Sequence, residues 1–269
     1  MSWLNEMFHC DKVVIGLLHL DELPGDPFFD EKTSMKDIIK HAEADLHALQ
    51  KGGVDAILIT NEFSLPYQRK VSQVTTNAMA LVVGALLKDI KVPFGVEAIY
   101  DGDATIELCA ACNAQFTRCL FTGAWAGDFG LIDRDIAHTI RLKHSLRQDD
   151  LKLLYFVNSE DEVYVNNRTL GEITKSLNNN CHPDAFVVAG SNAGNGPAME
   201  SILEVTKYAN NTPVFCGTGC KIDNVAAIFD ECDGAFVGTT FKKDGKSRER
   251  IDEKRVSAFM EVVKQYRKA

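Results

Sequence analysis

Short apolar runs rich in β-branched residues recur along this chain at roughly 20- to 35-residue intervals, and each is followed by a segment of helical spacing. The runs are VVIGLLHL (13–20), VDAILIT (54–60), PFGVEAI (93–99), QFTRCLF (115–121), KLLYFVN (152–158), DAFVVAG (184–190), PVFCG (213–217) and DGAFVG (233–238). Ile38, Ile39, Ala42, Leu46 and Leu49 mark the first helix, with Ser34 as its N-cap and Gly52-Gly53 as its stop. Further helices are expected over 78–87, 106–111, 136–146, 170–177, 199–208, 225–229 and 256–266. The strand runs are apolar on both faces, as buried parallel strands are. Eight β-then-α units in about 250 residues match a (β/α)8 TIM barrel. A doubly wound sheet is the competing arrangement. With no linker or break in composition, residues 1–269 read as one domain.

Composition narrows the partners. The formal charge is −9 and no long basic run is present, which argues against nucleic acid or an anionic membrane as the main partner. No apolar stretch reaches the roughly 20 residues of a membrane helix. The start, MSWLNEMFHCDK, lacks both a basic segment and an apolar core, so no signal peptide is expected. Eight scattered cysteines, several inside strand runs, read as reduced core residues of a cytoplasmic protein. Cys109 and Cys112 have Cys-x-x-Cys spacing but fall mid-helix without a second pair, so they too read as core. Barrels of this size commonly self-associate, and a homo-oligomer is expected.

A barrel places its chemistry at the carboxyl ends of the strands. The residues to read there are His19, Thr60, Asn61, Glu62, the segments 97–103 and 118–128, Asn158, the segment 190–196, and the corners 217–219 and 238–240. Gly217-Thr218-Gly219 ends the seventh strand and Gly238-Thr239-Thr240 ends the eighth. Barrels often hold a phosphate between these two loops, where glycine lets backbone N–H groups approach an oxyanion. Gly217, Thr218, Gly219, Gly238 and Thr239 are therefore the expected phosphate-binding set, with Lys242 or Lys243 available to neutralise the anion.

Strand alternation puts Glu97 on the face of Gly95, pointing into the barrel, while Phe94, Val96 and Ala98 meet the helices. Arg118 shares the interior face with Phe116 and could clamp an anion or neutralise Glu97. The loop 122–133 contains three glycines and two acids and suits a lid or ligand contact; Asp133 is expected to cap the next helix, leaving Asp128 as a site residue. His19 is a candidate acid, base or metal ligand, and Glu62 an assisting acid. No lysine stands at the top of strands one to six, which disfavours Schiff-base chemistry. His19, Glu62, Glu97 and Asp128 could gather round a divalent ion, although no local ligand motif supports it.

VVIGLLHLDELPGDP, GGVDAILITNEFSLPY, FTGAWAGDFGLID, DAFVVAGSNAG, GTGCKIDNV and DGAFVGTTFKKDG resemble the BtpA/SgcQ family of TIM-barrel proteins over about residues 12–262. NEFSLPY and FTGAWAGDFGL are most similar to the SgcQ-like branch, which is associated with sugar uptake and metabolism; the BtpA branch is associated with photosystem I accumulation. The resemblance implies a fold similar to phosphate-binding barrels and marks His19, Asn61, Glu62, Arg118, Thr122, Gly123, Asp128, Gly217, Gly219, Gly238 and Thr239. The nucleoside-triphosphatase label of some members finds no Gly-x-x-x-x-Gly-Lys-Ser/Thr here. Many members resemble Gly-Val-Asn-Val on the third strand, where this chain has Gly-Val-Glu97-Ala. Tyr155-Phe-Val-Asn158 likewise replaces the BtpA branch's Asp-Val-His/Lys-like pattern on the fifth.

The expected function is an enzyme acting on a small phosphorylated sugar or related metabolite by lyase, isomerase or epimerase chemistry. Glu97 and Asp128 are the expected acid–base pair, Arg118 stabilises developing charge, and His19 and Glu62 assist. The alternatives are a non-catalytic ligand-binding or assembly protein on a barrel scaffold, and a metal-dependent phosphoesterase.

Overall fold

The computed structural model describes residues 2–190 and 196–268; the segment 191–195, within the expected sixth-strand site region, lies outside the described residues. In chain order the strands are β1 (Val13–His19), β2 (Ala56–Thr60), β3 (Phe94–Glu97), β4 (Phe116–Cys119), β5 (Ala124–Gly127), β6 (Gly130–Asp133), β7 (Lys152–Phe156), β8 (Glu162–Tyr164), β9 (Ala185–Val188), β10 (Val214–Cys216) and β11 (Gly234–Val237). The helices are α1 (Trp3–Phe8), α2 (Met35–Gly52), α3 (Gln73–Leu86), α4 (Gly102–Cys112), α5 (Ile136–Ser145), α6 (Leu170–Asn180), α7 (Met199–Tyr208), α8 (Val225–Glu231) and α9 (Glu253–Tyr266). Eight strands close in the order β1-β11-β10-β9-β7-β4-β3-β2, all parallel, as expected of a (β/α)8 barrel. Among the described residues no helix is long and apolar enough to cross a membrane.

Strand alternation divides the core in two. Residues facing outward, such as Phe94, Val96, Ala98 and Cys119, pack against the helix ring. Val13, Ile15, Leu17, Leu58, Phe116, Leu154, Phe215 and Phe236 fill the barrel interior. The interior is plugged from the amino-terminal end by α1, whose Leu4 and Phe8 are buried in the same cluster. The strand-to-helix pattern that reveals the other helices does not apply to α1, because it precedes the first strand. Ser34 caps α2 in a capping box with Asp37, and Gly53 ends that helix at φ +90°. All eight cysteines are free and six are buried, Cys109 and Cys112 on the inner face of α4 among them.

The segment 122–133 is not an open loop. Its halves pair as the β5–β6 hairpin, and β8 adds on the other side of β5 to make a three-stranded antiparallel sheet above the barrel. Trp125 and Ile132 stand opposite one another in register and are both buried, which gives the hairpin an apolar underside. Gly123 and Gly130 adopt left-handed φ values of +80° and +85°, so their glycines serve turns rather than flexibility. Asp133 closes β6 and caps nothing; Asp135 is the N-cap of α5, accepting from His138 N.

Gly95 tests the interior packing. A Cβ there would fall 2.4 Å from the Phe116 carbonyl oxygen and 2.9 Å from Leu58 Cδ1. Gly95→Ala is expected to cost about 1–3 kcal/mol, lowering Tm by roughly 2–4 °C per kcal/mol. Thermal unfolding followed by circular dichroism checks this, and an unchanged Tm would contradict the packing described.

Candidate active site

The alternation that fills the barrel with Val13, Ile15 and Leu17 brings His19 inward at the top of β1. Register then sets a polar row around neighbouring strands: His19 pairs with Thr60 of β2, and Thr60 with Glu97 of β3. Gly95 pairs with Phe116, so Glu97 comes level with Arg118 of β4. Four polar side chains thus occupy one level at the barrel mouth, each at most 6% exposed.

Arg118 dominates that level. Its Nε donates to Glu97 Oε2 at 3.0 Å and its Nη1 to the Gly217 carbonyl at 3.2 Å, spanning the interior from β3 to the end of β10. The guanidinium carbon lies 4.3 Å from the Phe236 ring centroid and 5.1 Å from that of Phe156, within cation–π range. Nη2 makes no hydrogen bond to a described residue, and Arg118 lines the cavity above. Burial pushes the Glu97 carboxyl up, and the Arg118 charge opposes that rise.

The glycines of the two corners make room for His19 and for the side chains below Arg118. A Cβ on Gly238 would lie 3.0 Å from His19 Cε1; one on Gly217 would lie 2.8 Å from Val187 Cγ1 and 3.2 Å from Phe156 Cε1. The Gly217 N–H donates to the Val188 carbonyl and its own carbonyl accepts from Arg118, so its polar groups are already engaged. The N–H groups of Gly219 (φ +69°), and of Thr239 and Thr240 in the 3-10 turn Thr239–Phe241, make no hydrogen bond to a described residue. Thr218 Oγ1 accepts from Gly190 N at 2.8 Å.

These elements surround a cavity of about 850 Å³ at the carboxyl ends of the strands. His19, Glu62, Glu97, Arg118 and all five residues of the expected phosphate set line it. Both ring nitrogens of His19 are buried without a hydrogen-bond partner among the described residues, as is Thr60 Oγ1. Glu62 Oε2 is 3.9 Å from His19 Nε2, beyond hydrogen-bond reach. Burial, reinforced by Lys242 and Arg118, holds His19 well below the usual imidazole range, so the ring is neutral near pH 7. Burial pushes Glu62 up, against the opposing charges of Arg118 and Lys242.

The structure separates some expected partners from the site. Asp128 is exposed at the β5–β6 turn, outside the cavity lining, its N–H directed to the Asp161 carbonyl. Asn61 Oδ1 accepts from Ile99 N, and Asn158 holds both backbone groups of Ala189, so both brace strand ends. Lys242 is buried, its Nζ turned to the Ser247 carbonyl and 4.8 Å from the Phe63 ring centroid, and burial brings its pKa down to about 8. Lys243 is exposed. Among the described residues no three His, Cys, Asp or Glu side chains are grouped to hold a metal ion.

The loop after β7 adds acids that sequence reading overlooked. Glu160 and Asp161 line the cavity, and Thr218 donates to the Glu160 carboxylate. Burial pushes Glu160 up to about 7, partly offset by that hydrogen bond and by Arg118. In Ser159-Glu160-Asp161-Glu162 an acidic run reads as solvated surface; only the β8 strand that follows turns it toward the mouth. Arg255 of α9 also lines the cavity, donating from Nε to the Thr240 carbonyl at 3.0 Å.

The BtpA family pattern matches residues 10–265. The chain belongs to the BtpA family. It is 43% identical to the sgc region protein SgcQ of Escherichia coli (strain K12), across the full length of both chains. It is 29% identical to the photosystem I biogenesis protein BtpA of Synechocystis sp., over 97% of this chain and 91% of that one. Among solved structures, a native KDPGal structure superposes with a TM-score of 0.59 at 13% identity, covering 95% of this chain and 96% of the other. Phosphoribosyl anthranilate isomerase of Thermus thermophilus gives 0.57 at 8% identity, covering 94% and 98%. These two likenesses establish the barrel architecture.

Glu160 offers a pH signature. Its pKa stands above the ordinary glutamate value of 4.5 in the folded chain, so the folded state binds the proton more tightly and loses stability as pH rises from about 4.5 to 7. Glu160→Gln, which stays neutral, is expected to match the wild type near pH 4 and to exceed it by about 1–3 kcal/mol above pH 7. Urea unfolding across that range reads the difference; equal stabilities throughout would contradict the half-buried placement of Glu160.

Proposed function

We propose that this BtpA-family barrel is an enzyme acting on a small phosphorylated sugar or related metabolite, by acid–base chemistry of the lyase, isomerase or epimerase type. The observation that carries the reading is His19, a neutral imidazole whose two nitrogens have no partner among the described residues, facing the same cavity as Arg118 and the two corners. Buried polar groups are nearly always hydrogen-bonded, so such a ring at a barrel mouth points to a ligand.

The phosphate is held by the N–H groups of Gly219, Thr239 and Thr240, with the Thr239 hydroxyl beside them. Gly217 and Gly238 serve that site by making space. Remote binding energy at the phosphate then positions the reacting carbon over the polar row. There Arg118 directs Nη2 at developing negative charge, and His19 and Glu62 stand where a proton is taken or returned. Glu160, titrating near neutral pH, is suited to the acid–base role that Asp128 cannot reach from the hairpin turn. Glu97 fixes Arg118 rather than moving protons.

Thermal unfolding against sugar phosphates, their unphosphorylated parents and inorganic phosphate tests this. A phosphorylated ligand at about a hundred times its dissociation constant adds roughly 2.7 kcal/mol, a shift on the order of 5 °C for a chain of this size. A response confined to phosphorylated compounds is expected. Stabilisation by the unphosphorylated parents alone would remove the phosphate reading.

A further inference from the structure

A phosphate seated on three backbone N–H groups still needs its charge answered, and the lysines beside the corner do not reach it. Lys242 is buried with its Nζ turned to the Ser247 carbonyl, and Lys243 is exposed outside the cavity lining. Three cationic side chains do line the cavity: Arg118, Lys221 and Arg255. Arg118 is already paired with Glu97. Lys221 stands exposed. Arg255, in the first turn of α9, is half-buried. Arg248 and Arg250 each meet a carboxylate, whereas Arg255 meets none among the described residues.

Two neighbours locate its guanidinium. Nε donates at 3.0 Å to the carbonyl of Thr240, whose own N–H belongs to the phosphate set. A Cβ built on Gly245, which also lines the cavity, would stand 3.5 Å from Nη2. Neither terminal nitrogen makes a hydrogen bond to a described residue. The 3-10 turn that carries Thr240 is itself tied on both sides. The Thr240 hydroxyl donates to the Cys220 carbonyl at 2.8 Å, and Asp252 N, at the cap of α9, donates to the Phe241 carbonyl at 2.9 Å. The β10 corner, the turn and the guanidinium are therefore held as one unit.

An arginine held through Nε keeps Nη1 and Nη2 for a second acceptor, and guanidinium suits phosphate in two-pronged fashion. A phosphate monoester carries about −1.5 to −2 charge at pH 7 and three acceptor oxygens, enough for the backbone donors and the guanidinium together. A carboxylate, with one charge and two oxygens, would leave part of that set idle. We infer that Arg255 is the phosphate-binding cation of this site, its terminal nitrogens contacting a phosphate monoester seated on the N–H groups of Gly219, Thr239 and Thr240. The inference rests on the phosphate reading and adds the residue that supplies the charge. Sequence spacing conceals it, because Arg255 lies on α9, beyond both corners it serves.

Isothermal calorimetry with inorganic phosphate at neutral pH tests it on the wild type, Arg255→Gln, Arg255→Lys and Lys221→Gln. Arg255→Gln is expected to weaken phosphate binding about tenfold or more, the worth of a hydrogen bond to a charged group. Arg255→Lys, which keeps the charge without the fork, is expected to fall between Arg255→Gln and the wild type. Lys221→Gln, at an exposed position, is expected to stay within about twofold of the wild type. If Arg255→Gln binds phosphate as well as the wild type, the inference fails and the phosphate site stands. If Arg255→Lys binds no better than Arg255→Gln, the loss lies in the 3-10 turn rather than in the charge, and the inference fails. An equal loss in Lys221→Gln also overturns it. If the wild type binds no phosphate, the inference fails, and the response to sugar phosphates decides the phosphate reading separately. Should Arg255→Gln not fold, Arg255→Lys decides alone, and wild-type affinity there would overturn the inference.

Discussion

A guanidinium inside a barrel needs partners on every side, and Arg118 draws them from four strands: Glu97 on β3, the Gly217 carbonyl after β10, and the rings of Phe156 on β7 and Phe236 on β11. Removing one member of a buried ion pair typically costs 3–5 kcal/mol, because the other charge is left uncompensated. The pair is therefore weak as a source of net stability and strong as a constraint on geometry. It places one positive charge inside the barrel mouth, between Glu97 and the Gly217 carbonyl.

The neighbouring residues follow from that constraint. A side chain at Gly238 would press on the His19 ring, and one at Gly217 on Val187 and on the Phe156 ring that packs against Arg118. The two corners thus divide two duties: Gly217 and Gly238 make space, while the N–H groups that make no hydrogen bond to a described residue belong to Gly219, Thr239 and Thr240. The charge of Arg118 also helps to keep His19 neutral and tempers the rise of Glu62 and Glu160. One cation lowers the pKa of four titratable groups, Glu97 included, which favours the neutral form of His19 and the charged form of the three carboxyls.

The barrel strands were legible because a parallel sheet buried on both faces leaves near-continuous apolar runs, and alternation of side-chain direction alone turned Glu97 and Arg118 inward. Tertiary context decided the remainder. The β5–β6 hairpin hides in a glycine-rich stretch whose glycines mark left-handed turns, and β8, its third strand, is only three residues long. Glu160 and Asp161 sit in an acidic run that differs from solvated surface only in where β8 carries it. Asp128 looked free of other duties, and the hairpin explains why: it turns at the tip, away from the mouth. Lys242 looked like a counter-charge for phosphate, yet packing against Phe63 takes its ammonium away from the cavity.

The account stands on the coupling between Glu97 and Arg118, and a double-mutant cycle measures it directly. Glu97→Gln, Arg118→Met and the double variant would be compared with the wild type by urea unfolding at neutral pH. Contacting charged residues show interaction energies of about 0.5–3 kcal/mol, and a buried pair belongs toward the upper part of that range. The expected result is a double variant at least about 1 kcal/mol more stable than the sum of the single losses implies. Additivity within about 0.5 kcal/mol would mean that Arg118 is not held by Glu97, and the site built around it would have to be redrawn.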